Sequence, residues 1–172
     1  LRDPDDLLRI TSMGFRGEAL PSIASISRFT LQSRPAQQPE GTEILVNGGK
    51  MIDRRACGMA PGTRIEVANL FHAVPARRKF LKTDNTEAAH IVHLVRLHAM
   101  ARPEVDFSLI EDGRPVFRSP RGKDLRQRVA EIWGEHLASP LEILPEAKAK
   151  GLHLHGLIGR PGTGRSSRRE II

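Results

Sequence analysis

The sequence predicts an α+β fold built around a mostly antiparallel sheet. Three observations lead to this prediction. Segments of alternating or continuously apolar residues recur between residues 27 and 70, and turn residues separate them. Asn47-Gly48 followed by Gly49 is a strong signal for a β-hairpin between two of these segments. Helical apolar patterns then follow, one after Asp84 and one after Leu125.

Two short helices are predicted before the sheet. In DPDDLLRI, Asp3 suits the N-cap and Pro4 the first helical position. A second helix begins near Glu18 and tolerates Pro21 because its first turn needs no internal N–H partner. Between them lies the glycine-rich stretch GFRGEAL (14–20), called the bend below. Backbone N–H groups at such a bend, next to a helix N-terminus, suit an anion such as phosphate.

The bend is the candidate binding site that the residues indicate by themselves. Arg16 adds a cation to it. Glu18 is interpreted as a first-turn residue favoured by the helix dipole, not as a general base. A G-x-x-G-E bend taken alone is weak evidence, so a nucleotide site and a plain turn before a helix both stay open.

The sheet is predicted from four strands, and a long helix follows it. The strands are 27–34, 41–48, 50–57 and 63–70. PARRKFLK (75–82) is a basic segment opened by proline. Asp84 and Glu87 have the spacing of a capping box, and the helix is expected to stop before Pro103. Its apolar face is predicted to contain Ala88, Ile91, Val92, Val95 and Ala99.

The C-terminal part repeats hairpin and helix signals. EVDFSLIE and RPVFRS are predicted strands joined at Asp112-Gly113, and SPRGK (119–123) is the predicted linker. A helical stripe contains Leu125, Val129, Ile132, Trp133 and Leu137. GLHLHGLIG (151–159) alternates like a half-buried strand.

Composition limits the class of protein. The net charge is +7, which fits either a well-solvated basic surface or contact with phosphates. No apolar run approaches the ~20 residues that span a bilayer, and no signal peptide is expected. The single cysteine, Cys57, suits a reducing cytosol. Six Phe, one Trp and no Tyr argue against binding of single strands by base stacking.

Other candidate sites are weaker. His90, His93 and His98 lack the spacing and the further ligands of a helical zinc site. His153 and His155 alternate on one strand face and are also interpreted as structural. RPGTGRSSRRE lacks the Gly-Lys-Ser/Thr of a phosphate-binding P-loop and is interpreted as a flexible basic connection.

The order of three motifs resembles a known family. GFRGEAL, Gly62-Thr63 before a strand, and PARRKFLK occur in this order and at these distances in the MutL family of DNA mismatch repair proteins. The ATPase of this family belongs to the superfamily of gyrase, heat-shock chaperones and histidine kinases. The resemblance extends over nearly the whole chain, including GTEILVNGGK and GLIGRPGTGRSSR.

The resemblance implies a two-domain organisation. Residues 1–119 would be the C-terminal part of a Bergerat-type ATPase sandwich, a mostly antiparallel sheet with helices on one face, including the ATP lid. Residues 120–172 would begin a transducer domain similar to ribosomal protein S-five. The motif with the catalytic glutamate and the magnesium-holding asparagine is expected upstream, so the resemblance assigns no catalytic residue and no metal ligand to this chain. The chain alone is therefore expected not to hydrolyse ATP.

The resemblance also implies which residues bind ligands. Contacts with ATP would come from Gly14, Phe15, Arg16, Gly17, Glu18, Ala19, Leu20 and Thr63. The resemblance makes PARRKF a structural and DNA-proximal element. From this segment, the net charge and the basic run Arg160 to Arg169, the expected DNA contacts are Arg77, Arg78, Lys79, Arg165 and Arg168. The chain departs from the family pattern at Asn69, His72, Ala73 and Val74, where the family usually has Asp, an aromatic residue, Asn and Thr.

The function implied is that of an ATP-driven switch. With ATP and Mg²⁺, the intact protein would form a homodimer through its ATPase domains and couple mismatch recognition to strand removal. Its partners would be DNA, a mismatch-recognition protein of the MutS family, and a helicase or nuclease, in the bacterial cytosol or nucleoid. The alternative is a basic module that binds DNA and proteins and has no nucleotide function.

Overall fold

The computed structural model describes residues 14, 17–122 and 124–164 of the chain. The chain divides into two compact units, Leu1–Leu81 and Lys82–Ile172. The first contains α1 (Ala19–Ala24), β1 (Arg28–Arg34), β2 (Gly41–Asn47), β3 (Lys50–Cys57), β4 (Gly62–Ala68) and α2 (Pro75–Arg78). The second contains α3 (Asp84–Ala101), β5 (Phe107–Glu111), β6 (Arg114–Ser119), α4 (Leu125–Trp133), α5 (Glu135–Ala138), β7 (Leu141–Ala149) and β8 (Leu152–Gly159). The helix predicted at Asp3 lies outside the described residues.

The first unit is a four-stranded antiparallel sheet with the strand order β3-β2-β1-β4. Leu31 on β1 pairs with Ile44 on β2 and with Ile65 on β4, so these three apolar side chains lie on one face. α1 precedes β1, and Ala24 and Phe29 are buried where they meet. The predicted α+β class, the mostly antiparallel sheet and the hairpin at Gly48-Gly49 are therefore confirmed.

The N-cap of the long helix of the second unit lies one residue before the predicted cap, Asp84. Thr83 is the N-cap of α3, and its hydroxyl accepts a hydrogen bond from the Thr86 N–H at 3.4 Å. Glu87 accepts one from the Lys82 N–H at 2.9 Å. Thr83 takes the capping role expected for Asp84, because Thr83 is the last residue with an extended backbone and Asp84 is already helical. The helix ends before Pro103, as predicted.

The core of the second unit joins α3, the β5–β6 hairpin, α4 and α5. Its buried residues are Ala99, Met100, Phe117, Val129, Ile132 and Ala138. Of the predicted apolar face of α3, Ala99 is fully buried and Ile91 is 54% exposed. Ser119 is also fully buried, and its hydroxyl donates to the Glu131 carboxylate at 2.8 Å. The division between the compact units thus lies before α3, and the predicted linker at 119–123 starts inside the second unit.

Two features of the C-terminal part differ from the predicted elements. The predicted helical stripe is divided between α4 and α5 at Gly134. The φ angle of Gly134 is 99°, which lies outside the range of a right-handed helix, so α4 ends there. β7 is a strand that the sequence pattern does not show, and it pairs antiparallel with the predicted β8. Its pairing is irregular between Leu144 and Ala147, so Pro145 and Glu146 interrupt the alternation of apolar residues.

Candidate functional site

The bend before α1 has the backbone of a glycine-dependent turn. Gly14 has a φ of 98° and Gly17 a φ of 82°, a region that side-chain-bearing residues rarely adopt. A Cβ atom at either position would meet no described heavy atom within 4 Å. Among the described residues, nothing packs against the Cβ positions of Gly14 and Gly17. Phe15 and Arg16, which the sequence assigns to the same site, lie outside the described residues.

The start of α1 offers donors that the helix itself does not use. Glu18 occupies the N-cap position, and its side chain makes no capping hydrogen bond. By helix geometry, the N–H groups of Ala19 and Leu20 have no carbonyl acceptor within α1. Pro21, which has no N–H, occupies the third helical position. Leu20 is 41% exposed, so this end of the helix faces solvent on its apolar side as well.

Thr63 lies on β4 at the far end of the sheet from the C-terminus of α1. It pairs with Ser33 on β1, and the two hydroxyl oxygens are 2.9 Å apart. β1 begins at Arg28, five residues before Ser33, which corresponds to about 17 Å along the strand. The structure thus places Thr63 and the end of α1 at opposite ends of β1.

The basic segment forms a short helix, α2, with Pro75 at its start. Arg77, Arg78 and Lys79 are exposed. Phe80, which follows them, is 82% exposed. The predicted DNA contacts Arg165 and Arg168 lie outside the described residues.

The connection between β4 and α2 is a compact turn at the positions that depart from the family pattern. Asn69 and Phe71 have positive φ angles of 52° and 63°. The His72 N–H donates to the Asn69 carbonyl at 3.0 Å, which closes the turn. Nε2 of His72 is buried and has no hydrogen-bond partner among the described residues. Asn is one of the residues that tolerate the left-handed region, which suits Asn69 to this turn.

A buried carboxylate in the middle of the sheet is a feature that the apolar pattern of β2 does not indicate. Glu43 accepts hydrogen bonds from Gln32 on β1 and from Arg55 on β3, the latter at 2.7 Å. The bond from Gln32, and then the bond and charge of Arg55, hold the pKa of this carboxyl below its usual value of 4.5, although burial acts in the opposite direction. The sequence signal for this buried carboxylate is the single charged residue, Glu43, inside the segment GTEILVNG.

The histidines and acids of the described residues do not form a metal site. Within the described ranges, no group of three or more His, Cys, Asp or Glu side chains is arranged to hold an ion. His153 contacts Glu146, and its ring lies 5.1 Å from that of His155. No helix in the described part of the chain combines the length and the apolarity that crossing a membrane requires.

Comparison with known proteins places this geometry in a family. No family model matches the chain. It is 61% identical over 167 residues to the DNA mismatch repair protein MutL of Opitutus terrae, covering 97% of this chain and 26% of that protein. It is 47% identical over 163 residues to MutL of Geobacter sulfurreducens, covering 95% of this chain and 27% of that protein.

The chain belongs to the MutL family. It spans about a quarter of the length of the curated MutL relatives that it matches. Among solved structures, it is similar to the MutL ATPase domain of Aquifex aeolicus complexed with ADP, with 35% identity and a TM-score of 0.72. That match covers 95% of this chain and 62% of the solved domain. The N-terminal domain of a DNA repair protein shares the fold at 22% identity, with a TM-score of 0.75. The predicted resemblance to MutL is confirmed.

Proposed function

We propose that the protein to which this chain belongs is an ATP-binding and ATP-hydrolysing switch of DNA mismatch repair. It binds ATP with Mg²⁺, closes residues 14–20 over the phosphates and forms a homodimer through its ATPase domains. In this way it couples a MutS-family mismatch-recognition protein to strand removal by a helicase or nuclease on DNA, in the cytoplasm. The observation that carries the proposal is the open bend at Gly14 and Gly17 in a chain similar to a MutL ATPase domain complexed with ADP.

The bend fits a polyphosphate through its main chain. Gly14 and Gly17 both have positive φ angles, a conformation that also occurs in backbone anion sites. The unused N–H groups of Ala19 and Leu20 point in the N-terminal direction of α1, where the helix dipole favours negative charge. In the proposed mechanism, Arg16 and these amides neutralise the phosphates without an acid–base residue. Thr63 is proposed to contact the nucleotide from β4.

Hydrolysis requires more than this chain. Mg²⁺ supplies charge neutralisation at the transferred phosphate. We propose that its ligands and the glutamate that orients water lie outside this chain. The role of this chain is therefore to bind and enclose the nucleotide, and we expect the 172 residues alone not to hydrolyse ATP. Residues 1–119 are proposed as part of the ATPase domain and residues 120–172 as the start of the transducer domain.

Substitution of Gly17 in the full-length protein tests the proposal. Gly17→Val places a β-branched residue at a φ of 82°, which forces the bend to change and withdraws N–H groups from the phosphates. Charge-assisted hydrogen bonds contribute roughly 1.5–3 kcal/mol each. Losing one or two of them therefore weakens the binding of an ATP analogue by about tenfold or more. Arg16→Ala removes only the side-chain cation and is expected to have a smaller effect.

The control is the thermal melt of the nucleotide-free variants. No described side chain lies within 4 Å of a Cβ at Gly17, so Gly17→Val is expected to stay folded. Unchanged binding of the ATP analogue by well-folded Gly17→Val would show that the bend is only a turn before a helix. The protein would then fit the alternative function, a basic module that binds DNA and proteins.

A further inference from the structure

The hairpin between β2 and β3 has an asparagine–glycine bond in its turn. Residues 47–50, called the hairpin tip below, connect the two strands, and Asn47 pairs with Lys50. Gly48 and Gly49 have φ angles of 55° and 82°, as expected for the two central residues of a type I′ turn. Asn47 is exposed, and its side-chain amide makes no hydrogen bond with another described residue. The Asn47 side chain is therefore in contact with water and free to change its rotamer.

An asparagine followed by glycine is chemically labile. The backbone nitrogen of the glycine attacks Cγ of the asparagine and forms a new C–N bond. The bond from Cγ to Nδ2 breaks, and Nδ2 leaves as ammonia with the proton of the attacking N–H. Water from the solvent then opens the resulting cyclic imide at either carbonyl, which gives aspartate or isoaspartate. Glycine favours the attack because it has no Cβ beside the nitrogen and the least restricted backbone.

The fold holds the attacking nitrogen in a hydrogen bond. The Gly48 N–H donates to the Ser27 carbonyl at 3.0 Å, and the Gly49 N–H donates to the Ala24 carbonyl at 3.1 Å. Ser27 is fully buried, so water does not compete easily for its main chain. A Cβ at Gly48 would lie 3.4 Å from Cβ of Ala73, so the hairpin tip is also close to the turn after β4. Attack on Cγ requires the nitrogen to lose its proton and to move, and both steps break the bond to Ser27.

We propose that Asn47 is a modification site that converts to aspartate or isoaspartate when the hairpin tip is released from Ser27 and Ala24. While the two main-chain bonds are intact, the reaction is suppressed. In isoaspartate, the main chain runs through the former side chain and is one carbon longer, and a free carboxylate is added to the turn. Both changes oppose the return of the Gly48 and Gly49 N–H groups to their carbonyls. The modification therefore preserves the released form, and it is independent of the proposed nucleotide function.

The first experiment compares native and unfolded full-length protein. Samples are kept at neutral pH and at one temperature below the melting point, with and without enough urea to unfold the protein. Mass-spectrometric peptide mapping follows deamidation at Asn47, and methylation by an isoaspartyl methyltransferase identifies isoaspartate. Asn69 and Asn85 are internal controls, because both are exposed and both precede residues that are bulkier than glycine.

In urea, Asn47 is expected to react fastest of these three asparagines. In the native protein, we expect its reaction to be at least about tenfold slower than in urea, because only locally opened molecules react. Equal rates in the native and the unfolded protein would show that the fold does not control the reaction. If Asn47 reacts no faster in urea than Asn69 and Asn85, Asn47 is not a modification site.

The second experiment loosens the hairpin tip without changing the asparagine–glycine bond. A Cβ at Gly49 would lie 3.4 Å from Cα of Ser25, so Gly49→Val pushes the tip away from the end of α1. Gly113→Val is the matched control, because Gly113 has a similar φ of 75° in the β5–β6 turn and no described atom within 4 Å of its Cβ position. Each native rate at Asn47 is divided by the rate of the same variant in urea, so that changes in intrinsic reactivity cancel.

This ratio is expected to rise by about fivefold or more in Gly49→Val, because strain at the tip favours its opening. It is expected to stay at the wild-type value in Gly113→Val. Thermal melts establish that both variants are folded at the temperature used, and Gly49→Ala, with a smaller substituent, takes the place of Gly49→Val if that variant is unfolded. Equal ratios in the variants at Gly49 and at Gly113 overturn the proposal.

Discussion

At the scale of single residues, Arg128 is the most unusual side chain in the described part of the second unit. It has no exposed surface, and its guanidinium lies 5.6 Å from the centre of the Phe107 ring. It donates hydrogen bonds to the carbonyls of Ala99, Arg102, Pro103, Val105 and Pro120, at 2.7–3.2 Å. The planar five-donor guanidinium allows this arrangement. Arg128 therefore joins the C-terminus of α3, the loop after it and the segment after β6.

We expect Arg128→Met to destabilise the protein strongly. Removing the guanidinium leaves five carbonyls without their donor, and each buried polar group left unsatisfied costs about 1–3 kcal/mol. Arg128→Lys keeps the charge but has three donors in a different geometry. We expect it to destabilise the protein substantially, but less than Arg128→Met does. Thermal unfolding of the full-length protein measures both.

Arg126→Met is the matched control for these variants. Arg126 lies on the same helix, is exposed, and donates to the Ala138 and Ser139 carbonyls at 3.3 Å. We expect its loss to lower the melting temperature much less. Equal effects of the two Arg→Met substitutions would contradict the interpretation of Arg128.

At the scale of secondary-structure elements, Glu43 connects the three strands β1, β2 and β3. It is paired in register with Gln32 on one side and with Arg55 on the other, and it hydrogen-bonds to both. Arg55 is itself largely exposed, whereas the Glu43 side chain is 9% exposed. This cross-strand arrangement supports the ionised carboxylate within the sheet.

The lowered pKa of Glu43 predicts a pH-dependent contribution to stability. Because the folded pKa lies below the unfolded value, the contribution is fully present above about pH 4.5 and is lost as the pH falls through the folded pKa. We therefore expect Glu43→Gln to lower the melting temperature at pH 7 and to differ less from the wild type as the pH falls below about 4.5. Melting temperatures between pH 7 and pH 3 measure this.

Glu66→Gln is the control for the charge itself. Glu66 lies on the edge strand β4, is exposed, and pairs with Arg64 at 3.5 Å. Exposed ion pairs contribute little to stability, so we expect a small change at pH 7. A Glu43→Gln difference that stays constant from pH 7 to pH 3 would show that the carboxylate does not act through its ionised form.

At the scale of the whole molecule, positive charge is the property on which the proposed DNA binding depends. The chain has a net charge of +7, and Arg77, Arg78 and Lys79 are exposed on and after α2. Contacts of such side chains with phosphates release counterions and carry no sequence information. The proposed DNA binding is therefore electrostatic and nearly indifferent to sequence.

We expect DNA affinity of the full-length protein to fall by orders of magnitude as salt rises, with log K linear in log salt. Arg78→Gln should reduce the slope by about 0.9 if Arg78 contacts one phosphate of duplex DNA. Arg114→Gln, an exposed arginine at the start of β6, removes the same charge elsewhere and should leave the slope nearly unchanged. Equal slopes for the two variants would exclude Arg78 from the phosphate contacts.

The elements whose signals are local can be predicted from the sequence alone. Gly48-Gly49, directly after Asn47, specifies a tight hairpin because glycine accepts the positive φ angles of its turn, and the strands on either side occur where predicted. α3 and the β5–β6 hairpin follow in the same way from caps, proline positions and Asp112-Gly113. The MutL resemblance was also readable at this level, because its motifs are contiguous stretches.

Features that depend on residues far apart in the chain appear only in the folded structure. Arg128 in LRQRVAEIW has the pattern of a solvated helix residue, yet it is buried because acceptors 8 to 29 residues away converge on it. β7 contains Pro145 and Glu146 and becomes a strand because β8 pairs with it. The contact of Gly49 with the end of α1 joins residues whose local signals are independent. Such features arise from packing and long-range hydrogen bonds, which a window of neighbouring residues does not encode.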